Sequence, residues 1–189
     1  MLKLQTIVAS TRPGRAGLSI GTWFNDVAAA HKDFQAGLID LKAVNLPMFD
    51  EPHHPRMRQY VHQHTKDWSA TVSRADAFVF VVPEYNHSIN AATKNAIDYL
   101  HNEWRDKAVG LVTYGGVSGG TRALVALKPI LGSLRMVAVT DSVNIPFFAQ
   151  FIDDDGVFHP NDVSAGALTA MLDEIARYTT VLGPLREGA

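Results

Sequence analysis

The chain has 189 residues, 47% of them apolar, a net charge of −2 and no cysteine. That length and apolar content suit a single packed domain over residues 1–189, and the balanced charge gives no electrostatic basis for binding nucleic acid or an anionic membrane surface. Without cysteine there is no disulfide framework, no thiolate nucleophile and no Cys-ligated zinc or iron–sulfur centre; without a basic-then-apolar leader or an apolar run of ~20 residues, a cytoplasmic location with no membrane partner is expected.

In chain order, the apolar run Leu4 to Ala9 predicts a first strand, followed by a Gly/Pro-containing turn and a helix from about Ser19 to Ala30. Gly37 to Lys42 reads as a short second strand, and a proline-bearing loop runs from Asn45 to Pro55. Arg56 to Arg74 carries helical spacing, anchored by Tyr60, Val61, Trp68 and Val72. Ala77 to Val82 is apolar without alternation, which marks a strand covered on both faces. A loop at Pro83 to Asn90, a helix from about Ala91 to His101 and a strand from Ala108 to Tyr114 follow. A glycine loop then leads into a helix from Thr121 to about Leu131, and Met136 to Thr140 supplies a short last strand. After an irregular stretch with Asp153-Asp154-Asp155-Gly156, a final helix spans about Val163 to Leu182.

Strands alternating with helices imply right-handed parallel βαβ units. The expected fold is a three-layer α/β sandwich around a parallel five-stranded sheet of flavodoxin-like order 2-1-3-4-5. Ligands of such sheets bind beyond the carboxyl ends of the strands, where the loops Ser10 to Leu18, Pro83 to Asn90 and Gly115 to Gly120 emerge together.

The first loop, Ser10-Thr11-Arg12-Pro13-Gly14-Arg15-Ala16-Gly17-Leu18-Ser19, joins a strand to a helix. The first helical N–H groups lack intrahelical partners and the helix dipole is positive there, so the turn suits an anion. Ser10, Thr11 and Ser19 add hydroxyls, and Arg12 and Arg15 can fork onto phosphate oxygens. Neither G-x-x-x-x-G-K-[ST] nor G-x-G-x-x-G is present, which disfavours a triphosphate hydrolase or a plain dinucleotide fold. An ordinary connection with exposed arginines is the alternative.

In the loop after strand three, Pro83 fixes the backbone, Tyr85 offers a planar face and Asn86 an amide. By themselves these residues are better read as a core cap at Tyr85 and an Asx turn at Asn86. Gly115-Gly116-Val117-Ser118-Gly119-Gly120 lets several N–H groups converge on the electron-rich edge of a flat heterocycle. The same residues fit G-x-S-x-G, with Asp154 and His159 downstream, so a serine hydrolase using Ser118 is an alternative, although no HGGG-like segment accompanies it. No metal site is expected: His53-His54 lies in a loop, His62 and His64 fall on different faces of the predicted helix, and the aspartates at 153–155 read as a solvated turn.

Ser10-Thr11-Arg12-Pro13-Gly14-Arg15, Leu46-Pro47-Met48-Phe49-Asp50-Glu51-Pro52, Pro83-Glu84-Tyr85-Asn86 with Lys94 to Leu100, and Gly119-Gly120-Thr121-Arg122 together resemble the NAD(P)H-dependent FMN reductases, a flavodoxin-like family that includes quinone, azo-dye and chromate reductases. The resemblance covers about residues 4 to 140. It implies that Ser10, Arg12, Leu18 and Ser19, with Arg15, hold the FMN phosphate. It further implies that Pro83, Glu84, Tyr85 and Asn86 line the isoalloxazine and that Tyr114, Gly115 and Gly116 cover its other polar edge. Asn90-Ala91 and Thr93 stand where many members have Pro-Gly and Leu, which changes the pocket wall. The implied chemistry takes hydride from NADPH or NADH onto FMN and passes it to a quinone, azo compound, free flavin or metal ion, with no catalytic side chain. A homodimer or homotetramer is implied, and a non-enzymatic flavodoxin-like electron carrier is the alternative.

Overall fold

The computed structural model describes residues 1–187. Five parallel strands form one sheet in the order β2-β1-β3-β4-β5: β1 Leu2–Val8, β2 Phe34–Asp40, β3 Ala77–Pro83, β4 Ala108–Tyr114 and β5 Val137–Ile145. Helices α1 (Gly17–Ala30) and α6 (Asp162–Glu187) cover one face, and α3 (Gln63–Ser73), α4 (Ala91–Asp98) and α5 (Thr121–Ser133) the other. A single turn, α2 (Leu41–Val44), follows β2 directly. No helix among the described residues is long and apolar enough to cross a membrane.

Every residue of β3 and β4 is buried, as the continuous apolar run of β3 predicts. The strand period still sorts the side chains: Phe78, Phe80 and Val82 face α3, α4 and α5, whereas Ala77, Val79 and Val81 face α1 and α6. On the first face Trp68 of α3 and Trp104 pack against each other, and Trp104 also packs on Phe78 and Phe80 at centroid separations of 5.0 and 6.0 Å. Both indoles also donate to α4, Trp68 Nε1 to the Ala96 carbonyl at 2.9 Å and Trp104 Nε1 to that of Ile97 at 3.1 Å. These carbonyls belong to the last turn of α4, beyond which the regular helical donors run out. The aromatic core thus fixes the helix that follows the β3 loop.

Strand β1 begins at Leu2, β2 begins at Phe34 rather than Gly37, and α6 runs on to Glu187 rather than ending near Leu182; four further departures have a visible cause. Strand β2 ends at Asp40 rather than Lys42, because the Asp40 carboxylate accepts from the Lys42 N–H and starts a helical turn that Asn45 ends at φ 50°. The predicted helix from Arg56 breaks in two. Pro55–Met57 is a 3₁₀ turn ended by Arg58 at φ 54°, and the Glu51 carboxylate accepts from the N–H groups of Val61 and His62, so α3 begins only at Gln63. Val61 is consequently exposed. Helix α4 stops at Asp98, short of His101. Strand β5 runs past Thr140 to Ile145: Thr140 and Asp141 lie beside a register shift, where Glu174 accepts from the Asp141 N–H.

At the amino-terminal edge of the sheet, Lys107 is only 5% exposed, and burial lowers its pKa to about 8. A group that deprotonates earlier in the folded than in the unfolded chain raises stability with pH between the two values. Tyr60, Tyr99 and Tyr114 are shifted upward, mainly by burial, so their stabilising protons are lost only above pH ~10. The unfolding free energy measured in urea is therefore expected to rise between pH ~8 and ~10, by on the order of 2–3 kcal/mol, and Lys107→Met is expected to remove the rise.

Candidate active site

Three connections leave the carboxyl edge side by side, because β1, β3 and β4 are adjacent and Val8 lies opposite Val81 and Pro83 opposite Tyr114. The ladders run one residue further: Ala9 donates to Val81, Glu84 to Tyr114 and Gly115 to Ile145. The site residues beyond are held by backbone as well as by their own contacts.

In the first loop, α1 begins at Gly17 with no side chain capping it, so the N–H groups of its first turn are left for a ligand. Ser10 is buried, its hydroxyl without a hydrogen-bond partner and facing Tyr114 beneath that turn. Gly17 is required for the close approach, since a Cβ there would run into Ser10 Oγ and the Tyr114 hydroxyl. Ser19 Oγ accepts from the Phe158 N–H at 2.7 Å and keeps its own proton to donate, and Leu18 is exposed beside it.

The two arginines separate. Arg15 forks onto Asp40 with both nitrogens 2.5 Å from carboxylate oxygens, and it also donates to the Ser10 carbonyl at 2.6 Å. Burial pushes the Asp40 carboxyl up, but the Arg15 fork and the Lys42 N–H outweigh it and hold it below the usual range. The fork expected to reach for phosphate is engaged with Asp40, and Arg15 braces the loop from behind. Arg12 is exposed and makes no hydrogen bond or ion pair among the described residues.

In the second loop, Tyr85 and Ser88 exchange both backbone hydrogen bonds around Asn86 (φ 50°) and His87 (φ 66°), as in a two-residue hairpin turn. Asn86 and His87 stand exposed at the tip, and Tyr85 is 37% exposed. Glu84 turns away from this hairpin. Its carboxylate accepts from Ser118 Oγ at 2.8 Å, from the Arg122 N–H and from the Arg122 guanidinium at 2.7 Å, tying the β3 loop to the β4 loop. Burial alone would raise its pKa, but these donors hold it below the ordinary value.

The glycine loop is a closed turn. Gly119 donates to Gly116, Thr121 to Ser118 and Phe147 to Gly116, while Thr113 Oγ1 donates to the Gly119 carbonyl. Gly120 sits at φ 86° against Thr113, where a Cβ would collide with backbone. The N–H groups of Gly116, Val117 and Ser118 make no hydrogen bond among the described residues. Tyr114 is buried, which raises its hydroxyl pKa to about 12, so it stays a neutral donor.

Ser118 donates to Glu84 and not to an imidazole, and His159 pairs with Asp153 at 2.6 Å, so no Ser-His-Asp arrangement is assembled. His62 and His64 also differ from expectation: because the chain is extended up to His62, their rings stack at 5.1 Å, both beside Asp50. Sequence reasoning passes over Asp40, and it takes Asn90 only as a change in the pocket wall. Asn90 is buried, donating to the Ala9 carbonyl at 2.7 Å while accepting from Thr93 Oγ1 at 2.6 Å, and so links the ends of β1 and α4. Its place just before a helix is the sequence signal for this linking role.

Residues 2–150 match the family described as NADPH-dependent FMN reductase. The chain belongs to that family. It is 37% identical over 156 residues to an NAD(P)H-dependent FMN reductase of Nectria sp, covering 79% of this chain and 77% of that one. An NAD(P)H-dependent FMN reductase of Schizosaccharomyces pombe is 39% identical over 136 residues, covering 71% and 68%. Among solved structures, a flavoenzyme NAD(P)H:(acceptor) oxidoreductase from Paracoccus denitrificans superposes with a TM-score of 0.76 at 20% identity, covering 95% of this chain and 98% of that one. The sheet order and the flavodoxin-like fold are thus those of the family, whose members are oxidoreductases using FMN and NAD(P)H.

Gly17→Ala is expected to weaken FMN binding at least tenfold in a fluorescence titration of the apoprotein, with far-UV circular dichroism unchanged. The added methyl must displace the Ser10 and Tyr114 hydroxyls from beneath the helix terminus.

Proposed function

We propose that this single domain binds FMN across the three loops and moves reducing equivalents from NADPH or NADH through it to a small-molecule acceptor such as a quinone, an azo compound, free flavin or a metal ion. The observation that carries the reading is an uncapped, inward-leaning start of α1 with the unpartnered Ser10 hydroxyl beneath it and the unpaired Arg12 beside it. An anionic phosphate fits this donor set.

FMN, when bound, supplies the centre that takes up and gives up hydride. The chain's part is to bind and orient. In this reading Leu18 and Ser19 in the first turn of α1, with Ser10 beneath, receive the phosphate, Arg12 offsets its charge and Arg15 holds the loop in shape through Asp40. Pro83 and Tyr85 form a wall for the ring, Asn86 offers an amide at its edge and Glu84 locks this wall to the glycine loop. The N–H groups after Tyr114 and Gly115, beginning with that of Gly116, lie ready for the polar edge on which negative charge accumulates during reduction. No side chain is assigned an acid, base or nucleophilic step. The exposed Met48, Phe49, Met57 and Val61, in the segment between α2 and α3 that is held to α4 through Phe49 and Asn95, support a homodimer or homotetramer.

If one open ring face serves donor and acceptor in turn, steady-state rates with NADPH and a benzoquinone give parallel double-reciprocal lines. Intersecting lines would contradict this. Arg12→Ala is expected to weaken FMN binding 10- to 100-fold, the loss of one charge-assisted contact worth about 1.5–3 kcal/mol. An unchanged affinity would remove Arg12 from the phosphate site.

A further inference from the structure

A second polar cleft, of about 380 Å³, lies at the opposite edge of the sheet, lined by the residues that enter β3 and β4 and by the end of α6. Four cationic side chains border it, Arg58, Arg105, Lys107 and Arg186, against three carboxylates, Asp76, Glu103 and Asp106. Each carboxylate is already committed. Glu103 accepts from Tyr60 and Ser69 and lies 3.6 Å from Arg58. Asp106 meets Arg105 at 2.9 Å and Arg135 at 3.2 Å, and Asp76 accepts from the Lys3 N–H and lies 3.6 Å from Arg186.

Lys107 is left over. It is the most buried cation of the cleft, makes no ion pair among the described residues, donates only to the Val72 carbonyl at 2.9 Å and lies over the Phe78 ring. An ammonium group has three donors, so this one is both desolvated and short of acceptors. Burial disfavours its charge most, Arg186 adds like charge, and Asp76 and Glu103 act in the opposite sense. A buried charge in this condition is relieved by a counter-ion, and the cleft beside it is open to solvent.

We infer that this cleft is a binding site for a small oxyanion, inorganic phosphate or the phosphate group of a small metabolite, held by Lys107 and Arg186 and separate from the loops at the carboxyl edge. Occupation brings a negative charge beside Lys107 and holds its proton, so affinity falls as pH rises from 7 to 9 and binding near pH 8.5 takes up a proton.

The test is calorimetric titration of the FMN-loaded protein, in which the site at α1 is filled, with sodium sulfate, whose charge is constant over this pH range. The expected result is saturable binding of one sulfate per chain, at least tenfold weaker at pH 9 than at pH 7, with proton uptake at pH 8.5 shown by comparing buffers of different ionisation enthalpy. Lys107→Met is expected to weaken it at least tenfold, and Arg186→Gln, which alters a partly exposed side chain, severalfold. Parallel titrations with phosphate and glycerol 3-phosphate at pH 7 separate the sources: equal affinity assigns the free ion, and a tighter ester assigns a metabolite headgroup. Absence of saturable binding, or binding unchanged in both variants, overturns the inference.

Discussion

The site depends on one constraint of the sheet: β1 and β3 pair in parallel, and the helices that follow them pack on opposite faces. The connections after Val8 and Pro83 must therefore diverge, which opens a crevice at the strand ends without any side chain being removed from the core. The burial of β3 and β4 on both faces makes this register costly to change. A slip of one residue would exchange the Phe78, Phe80 and Val82 set for Ala77, Val79 and Val81 and mismatch both helix layers at once.

Around the crevice, the polar residues divide between those left for a ligand and those that hold the loops still. Arg15 with Asp40, Glu84 with Ser118 and Arg122, and Asn90 with Ala9 and Thr93 all belong to the second kind. Their hydrogen-bonding capacity is largely used within the protein, and each joins segments of different loops or elements. Loops fixed in this way lose less freedom when a ligand arrives, so more of the contact energy appears as affinity. An oxidoreductase that leaves the electron-transfer chemistry to its cofactor requires little else of its side chains.

The sheet order and the meeting of the three loops at its carboxyl edge were legible in the sequence because they follow from long-range regularities. The unbroken apolar run at Ala77 to Val82, glycines at strand ends and strict alternation of strands and helices each survive local irregularity. The discrepancies arise where one long-range polar contact overrides local pattern. Glu51 caps the chain at Val61 and His62 and delays α3, and the bulge beside Thr140 hides the second half of β5. The engagement of Arg15 by Asp40, 25 residues away, had no local signal at all. Two arginines three residues apart look alike in sequence, and only the position of β2 distinguishes the brace from the free cation.

The most direct test of the account is an absorbance spectrum of the purified protein after addition of FMN and removal of the excess, followed by anaerobic NADPH. Flavin bands are expected to stay with the protein and to bleach when NADPH is added. Retained bands that NADPH leaves unchanged would make the protein an electron carrier or binding module, and a colourless protein would contradict the assignment of the three loops to FMN.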